Sequence, residues 1–196
     1  REIHESRREA ATRAELERLF ESRGLKDREF DSIPISPDLP EEYAYALRHQ
    51  GRRPRLHPQN LESFLQFGRN VTAVQDPSRP LLLKNPFDVD NFLYMAQVLP
   101  AAKFVYIHRN PVDVVNSQVK TIRSLLEKRN EYVALVHERY RRLFEQPVKL
   151  AAARAIYSAR LPLLVTQVSR SVSRINDYFL RHGERLLLNC GRMFDY

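Results

Sequence analysis

Residues 81–91, LLLKNPFDVDN, and residues 103–117, KFVYIHRNPVDVVNS, carry the pattern that decides the predicted fold. In each stretch a short apolar run ends in a base, Lys84 or Arg109, and the base opens an octet that continues with Asn-Pro, one further residue and Asp-Val. Short continuous apolar runs are typical of buried parallel strands. Asn is a favoured helix N-cap and Pro a favoured first helical residue, so each octet predicts a helix that starts where a strand ends.

The spacing of other apolar residues places helices around the two runs. After each octet, apolar residues recur at steps of three and four: Val89, Phe92, Leu93 and Ala96, and then Val115, Val119, Ile122 and Leu126. Lys84 and Arg109 are 25 positions apart, which suits one strand and helix unit. We therefore expect an α/β fold, with a mainly parallel sheet of at least three strands flanked by many helices.

The chain before residue 80 indicates helices and loops. A stretch rich in Arg, Glu and Ala predicts an exposed helix that ends near Gly24, and a second helix is predicted over about residues 60–74. Prolines at positions 34, 37 and 40 predict an extended connection between these helices. We expect one domain over residues 1–196.

Composition and charge narrow the classes of function. With 196 residues, 43% of them hydrophobic, the chain is long enough for one domain with a core. A net charge of +8 favours an anionic partner such as a nucleotide, a nucleic acid, an acidic polymer or a membrane surface. No apolar run approaches the roughly 20 residues that span a bilayer, so no membrane segment is expected. The single Cys190 favours a reducing, cytoplasmic compartment, although the Asn-Val-Thr sequon at 70–72 leaves a secretory lumen open.

Helix capping explains the Asn and the Pro of the octets, but it requires no base at the end of a strand. In parallel α/β sheets ligands bind at the carboxyl ends of the strands, beside helix N-termini that attract anions. The guanidinium of Arg109 can make two parallel bonds to a phosphate. Ser117 follows eight residues later, about two helical turns on, and its hydroxyl adds a neutral donor. The two residues together predict an anion site.

These motifs resemble a known family. KFVYIHRNPVDVVNS is similar to the segment with which PAPS-dependent sulfotransferases hold the 3′-phosphate of 3′-phosphoadenosine 5′-phosphosulfate (PAPS). LLLKNP resembles the lysine-bearing strand end that precedes that segment, and LPEEYAYAL at 39–47 is similar to a PEEY stretch of many bacterial-type members. Helices over 131–182 and the apolar GERLLLN at 183–189 follow the general order of the family, so the resemblance spans residues 39–188.

The resemblance implies a P-loop-NTPase-like sulfotransferase fold and an enzyme that moves a sulfonate group from PAPS to a hydroxyl or amine. It implies that Arg109 and Ser117 bind the 3′-phosphate and that Lys84 is catalytic, near the sulfonate or the 5′-phosphate. Residues 80–196 would form the cofactor-binding core with the C-terminal helices, and residues 1–79 the side that meets a small-molecule or glycan acceptor. PAPS is the implied co-substrate, and no metal is expected because the His spacing and the single Cys suit no metal site.

The catalytic base is not fixed by the resemblance. Family members often carry His shortly after the lysine, and the corresponding positions here hold Pro86 and Asp88. Asp88 is therefore a candidate base, and a charge in the first turn of a helix is the alternative interpretation of the same residue. Glu41 and Glu42 are weaker candidates for the base.

The loop with which the family binds the 5′-phosphosulfate is not found in this sequence. That loop is rich in Gly and Thr, of the PRSGTT kind, whereas none of the five glycines here lies in such a context. We interpret this as a missing segment before Arg1. The C-terminal NCGRMFDY also lacks a clear match to the RYEDL-like stretch that follows the last strand of the family.

Two other functions fit parts of the sequence. A noncatalytic interaction domain would keep the fold without the 5′-phosphosulfate loop. A basic nucleic-acid binder would use GRRPR at 51–55 and the helix after Arg109, and its binding would weaken steeply with salt. Nucleic acid is nevertheless not the partner we expect, because solvated helix faces account for most of the basic residues.

Overall fold

The computed structural model describes residues 2–29, 33–38, 42–44, 46–47, 54–74 and 78–185. This part of the chain contains eight α-helices: α1 Glu2–Ser22, α2 Leu61–Val74, α3 Phe92–Val98, α4 Pro111–Glu127, α5 Glu131–Val136, α6 Glu138–Phe144, α7 Pro147–Ile156 and α8 Leu163–His182. Single turns of 3₁₀ helix occupy Pro58–Asn60 and Pro86–Asp88. The helices predicted before Gly24, over 60–74 and over 131–182 are confirmed.

The described residues contain no β-strand, so the predicted parallel sheet is wrong. The two apolar runs are extended, but no backbone hydrogen bond between described residues involves 81–83 or 104–107. Leu82, Val105 and Ile107 are 90%, 84% and 75% exposed, while the other apolar residues of the two runs are half-buried. Each run therefore buries one face only, whereas a parallel strand buries both. An apolar run indicates extended backbone, but a strand also needs a ladder partner, which neither run has among the described residues.

The first corner has the predicted Asn cap and Pro start. The Asn85 side chain accepts a hydrogen bond from the backbone N–H of Phe87 at 3.1 Å, and Pro86 is the first residue of the turn. This corner makes one 3₁₀ turn, and α3 begins only at Phe92. At the second corner α4 begins at Pro111 and runs for 17 residues, with Asp113 in its first turn.

The chain divides into two compact units, each assembled from separate stretches. In the unit that contains residues 112–168, hydrogen bonds from polar side chains join separate segments. Asn130 caps α5 by accepting from the Val133 N–H and also donates to the Arg28 carbonyl. The Tyr140 hydroxyl donates to the Leu125 carbonyl at 2.7 Å. The prediction of one domain, divided at residue 80, stays a prediction. The first unit is Arg1–Pro40 with Val112–Val168, and the second is Glu41–Pro111 with Ser169–Tyr196.

The second unit has an apolar core built on α2. Phe64 is buried on α2 because the apolar residues of this helix share one face, as their spacing predicts. Its ring meets the ring of Tyr43 edge-on, with 5.1 Å between centroids. The buried members of this cluster are Tyr43, Leu47, Leu56 and Phe64.

Candidate functional site

Lys84 projects from the first corner and pairs with Glu42. Its Nζ lies 2.9 Å from the Glu42 Oε1, and the two side chains differ in exposure: 79% for Lys84 and 23% for Glu42. The backbone N–H of Tyr43 donates to the Lys84 carbonyl at 3.3 Å, so the segments are also joined through their main chains. The result is an outward-facing ammonium beside a mostly covered carboxylate. Glu41, the other glutamate of the PEEY stretch, lies outside the described residues.

Asp88 lies four residues after Lys84 and is 5% exposed. Its carboxylate accepts four donors: the Tyr43 hydroxyl at 2.7 Å, the Leu56 backbone N–H at 3.1 Å, and the side-chain amides of Asn85 and Asn91 at 2.6 Å each. A carboxylate has about four lone-pair positions, so its capacity is filled by the protein. Of the two roles that the sequence left open for Asp88, this geometry favours a structural one over that of a free base.

The Tyr43 hydroxyl is the most strongly perturbed group of this cluster. Burial raises the pKa of Tyr43 well above its usual value, and the hydrogen bond to Asp88 raises it further. The phenol therefore remains a hydrogen-bond donor at neutral pH. Together Tyr43 and Asp88 tie the PEEY segment to the first corner.

The cluster around Asp88 also fixes Arg55, the last residue of the basic GRRPR stretch. Arg55 forms an ion pair with the Asp90 carboxylate at 3.1 Å and donates to the Asp90 carbonyl at 2.8 Å. The side-chain amides of Asn85 and Asn91 each donate to a backbone carbonyl of the loop, at Pro54 and Leu56. Arg55 thus has a structural role, and residues 51–53 of GRRPR lie outside the described residues.

Arg109 and Ser117 belong to the second corner. Arg109 lies two residues before α4 with an exposed side chain, and no carboxylate of the described residues is within ion-pair distance of it. Ser117 is exposed on α4. Because the two residues fall in different compact units, their joint use of one anion stays a prediction that rests on their spacing.

The sequence indicated the basic residues Lys84 and Arg109 and the two corners, but missed the Tyr43–Asp88 hydrogen bond and the Glu42–Lys84 ion pair. These partners are 45 and 42 positions apart, and only a folded chain brings them together. The one available signal was that PEEY and KNPFD both belonged to the resemblance.

Metal clusters and membrane spans are both lacking in the described residues. They hold no group of three His, Cys, Asp or Glu side chains that could bind a metal ion. None of their helices combines the length and apolar character needed to cross a bilayer.

Comparison with known proteins adds one match. The model of a family described as the sulfotransferase family matches residues 5–179, which is most of the chain. No curated protein and no solved structure matches. Lys84, Asp88, Arg109 and Ser117 all lie inside the matched residues.

Proposed function

The chain belongs to the sulfotransferase family, and we propose that it moves a sulfonate group from PAPS to a hydroxyl or amine acceptor. The observation that carries the choice of donor is Arg109. It is an exposed guanidinium without an ion-pair partner among the described residues, and Ser117 follows eight residues later in the matched region. A guanidinium beside a helix start can bind an anion through its own parallel N–H groups together with the exposed backbone N–H groups of the helix.

Arg109 and Ser117 bind the 3′-phosphate of the donor in this proposal. The guanidinium supplies two parallel N–H donors to the phosphate oxygens, and the Ser117 hydroxyl supplies a third. The 3′-phosphate distinguishes PAPS and its desulfonated product, 3′-phosphoadenosine 5′-phosphate (PAP), from AMP. Selectivity for PAP over AMP is therefore the signature of this site.

Lys84 acts on the transferred group. Sulfonate transfer places negative charge on the sulfonate oxygens and on the departing 5′-phosphate, and a nearby ammonium stabilises both. The flexible stem and outward position of Lys84 suit this task, and its backbone carbonyl is fixed by Tyr43. Asp88 contributes by holding the corner from which Lys84 projects.

Calorimetric titration of the full chain with PAP and with AMP tests the proposal. Binding of PAP at least tenfold tighter than AMP is expected, and Arg109→Ala should weaken PAP by more than about tenfold because it deletes a charge-assisted contact worth roughly 2 kcal/mol. Arg170→Ala is the matched control, since Arg170 is also an exposed arginine without a described ion pair. Equal PAP affinity in the Arg109→Ala and wild-type proteins would overturn the assignment.

A further inference from the structure

The Glu42–Lys84 ion pair joins the lysine of the proposed site to a carboxylate that the proposed function leaves unassigned. We propose that Glu42 is the base that takes the proton of the acceptor, and that Lys84 holds it as a counter-ion until the donor binds. This inference rests on the proposed function, since Lys84 must be the residue that meets the donor.

The two partners are held differently. Glu42 is mostly covered, and the next residue, Tyr43, is fixed by a backbone bond to Lys84 and by a side-chain bond to Asp88. Lys84 is mostly exposed and has a stem of four methylene groups, so its ammonium can turn away while its backbone stays in place. Separation of the pair therefore leaves the carboxylate where it is and moves the ammonium.

An anionic donor competes with Glu42 for this ammonium. An ion pair whose cation is mostly exposed is worth roughly 0–1 kcal/mol, so a phosphate or sulfonate that also binds elsewhere can displace the carboxylate from it. A largely covered carboxylate that loses its counter-ion binds a proton more readily, because burial disfavours its charged form. Donor binding would thus convert Glu42 from a neutralised partner into a proton acceptor.

Asp88, Arg55 and Asp90, described charged groups of these segments, are already engaged. Asp88 accepts four hydrogen bonds, and Arg55 pairs with Asp90 and lies 4.0 Å from Asp88. In the part of the chain that the structure describes, Lys84 is the charged group that faces Glu42. A change in the protonation of Glu42 on donor binding would therefore depend chiefly on Lys84.

Each proton and electron pair of the transfer step can be assigned to the acceptor, the donor or Glu42. A lone pair of the acceptor oxygen or nitrogen forms the new bond to sulfur, and the acceptor proton passes to the Glu42 carboxylate. The bond between sulfur and the bridging oxygen of the 5′-phosphate breaks, and its electron pair remains on that oxygen, beside Lys84. The products are the sulfonated acceptor, PAP and a protonated Glu42 that returns its proton to water.

Proton uptake on PAP binding tests the counter-ion exchange without an acceptor. PAP is titrated into the full chain by calorimetry at about pH 6 in buffers of different ionisation enthalpy, which gives the protons bound per PAP. Wild type is expected to take up more protons than Glu42→Gln, and the variant should bind PAP equally or up to about fivefold more tightly because Lys84 is free. Glu62→Gln, which breaks the 2.7 Å pair of Glu62 with Arg69 on α2, should match wild type.

Release of PAP from PAPS, with water as the acceptor, tests the base. Glu42→Gln should lower this rate by about a hundredfold or more, the usual size of a lost general base, while Glu62→Gln leaves it unchanged. Equal proton uptake, or an equal rate, in Glu42→Gln and wild type would overturn the inference while leaving PAP binding and the proposed function intact. Failure of wild type to prefer PAP over AMP would instead refute the proposed function.

Discussion

The two corners begin from nearly the same octet, KNPFDVDN and RNPVDVVN, but their Asp and basic side chains have different surroundings. At the first corner Asp88 is buried and accepts four donors, while at the second Asp113 is exposed in the first turn of a long helix. Lys84 has a carboxylate partner, and Arg109 has none among the described residues. A helical turn starts at the Pro of the same Asn-Pro sequence in both places, and the neighbours in space decide what each Asp and each cation do.

The first corner is a junction between distant segments. Tyr43 and Leu56 reach Asp88 from positions 45 and 32 residues earlier in the chain. Because the carboxylate collects donors from the PEEY segment, the basic loop and its own turn, it fixes their relative positions. At the second corner α4 begins directly at Pro111, and Arg109 has no ion pair with a carboxylate of the described residues.

The sharpest test of this difference is removal of each Asp in turn. Asp88→Ala removes the acceptor of the Tyr43 hydroxyl, of the Leu56 N–H and of one N–H from each of two Asn amides, and should lower the free energy of unfolding by at least about 3 kcal/mol. Asp113→Ala removes only a favourable charge near a helix N-terminus and should cost about 0.3–1 kcal/mol. Urea unfolding of both variants measures the difference. Losses of similar size would show that the two corners are equivalent after all.

The helices could be predicted from the sequence because their signals are local. Spacings of three and four, Asn-Pro corners and the stop at Gly24 all act within a few residues, and α1, α2 and α4 lie where these signals put them. The strands could not, because pairing depends on a partner elsewhere in the chain. Leu82, Val105 and Ile107 read as core residues of a sheet and are instead among the most exposed apolar side chains.

The candidate site shows the same limit. The residue types at Lys84, Arg109 and Ser117 were visible from their spacing, since a base and a hydroxyl at fixed offsets are a local pattern. The burial of Asp88 was not, because nothing within KNPFD distinguishes a capping charge from a carboxylate that receives the Tyr43 hydroxyl. Burial and partners of a polar side chain are set by tertiary contacts that a sequence pattern does not encode.

Tyr43 offers a second test of the junction, through pH. Tyr43→Phe removes one donor to Asp88 and should cost about 1 kcal/mol at pH 7. The raised pKa of Tyr43 means that the folded chain keeps a proton that the unfolded chain loses above about pH 10. The stabilisation that comes from this raised pKa is therefore fully present below about pH 10. Above that pH the free energy of unfolding falls by up to about 1.4 kcal/mol per pH unit.

Denaturant unfolding at pH 8 and at about pH 11 measures this contribution. Between these values the wild-type stability should fall more steeply than that of Tyr43→Phe, because the variant lacks the titrating phenol. Tyr106, Tyr140 and Tyr178 also have raised pKa values, mainly through burial, so both proteins should lose some stability. Parallel curves for wild type and variant would contradict a buried, hydrogen-bonded phenol at position 43.

The smallest expected effects on stability come from replacing Lys84 and Arg109, and these variants separate ligand binding from stability. Lys84→Met breaks an ion pair whose cation is mostly exposed, so it should cost about 0–1 kcal/mol of unfolding free energy, and Arg109→Met should cost still less because no described carboxylate pairs with it. Each should nevertheless weaken PAP binding by severalfold or more, since each removes a cation from the proposed donor site. Thermal unfolding with and without PAP measures both quantities in one experiment. A variant that unfolds readily without PAP would show that its cation stabilises the fold, and would contradict the expectation that this residue serves ligand binding rather than stability.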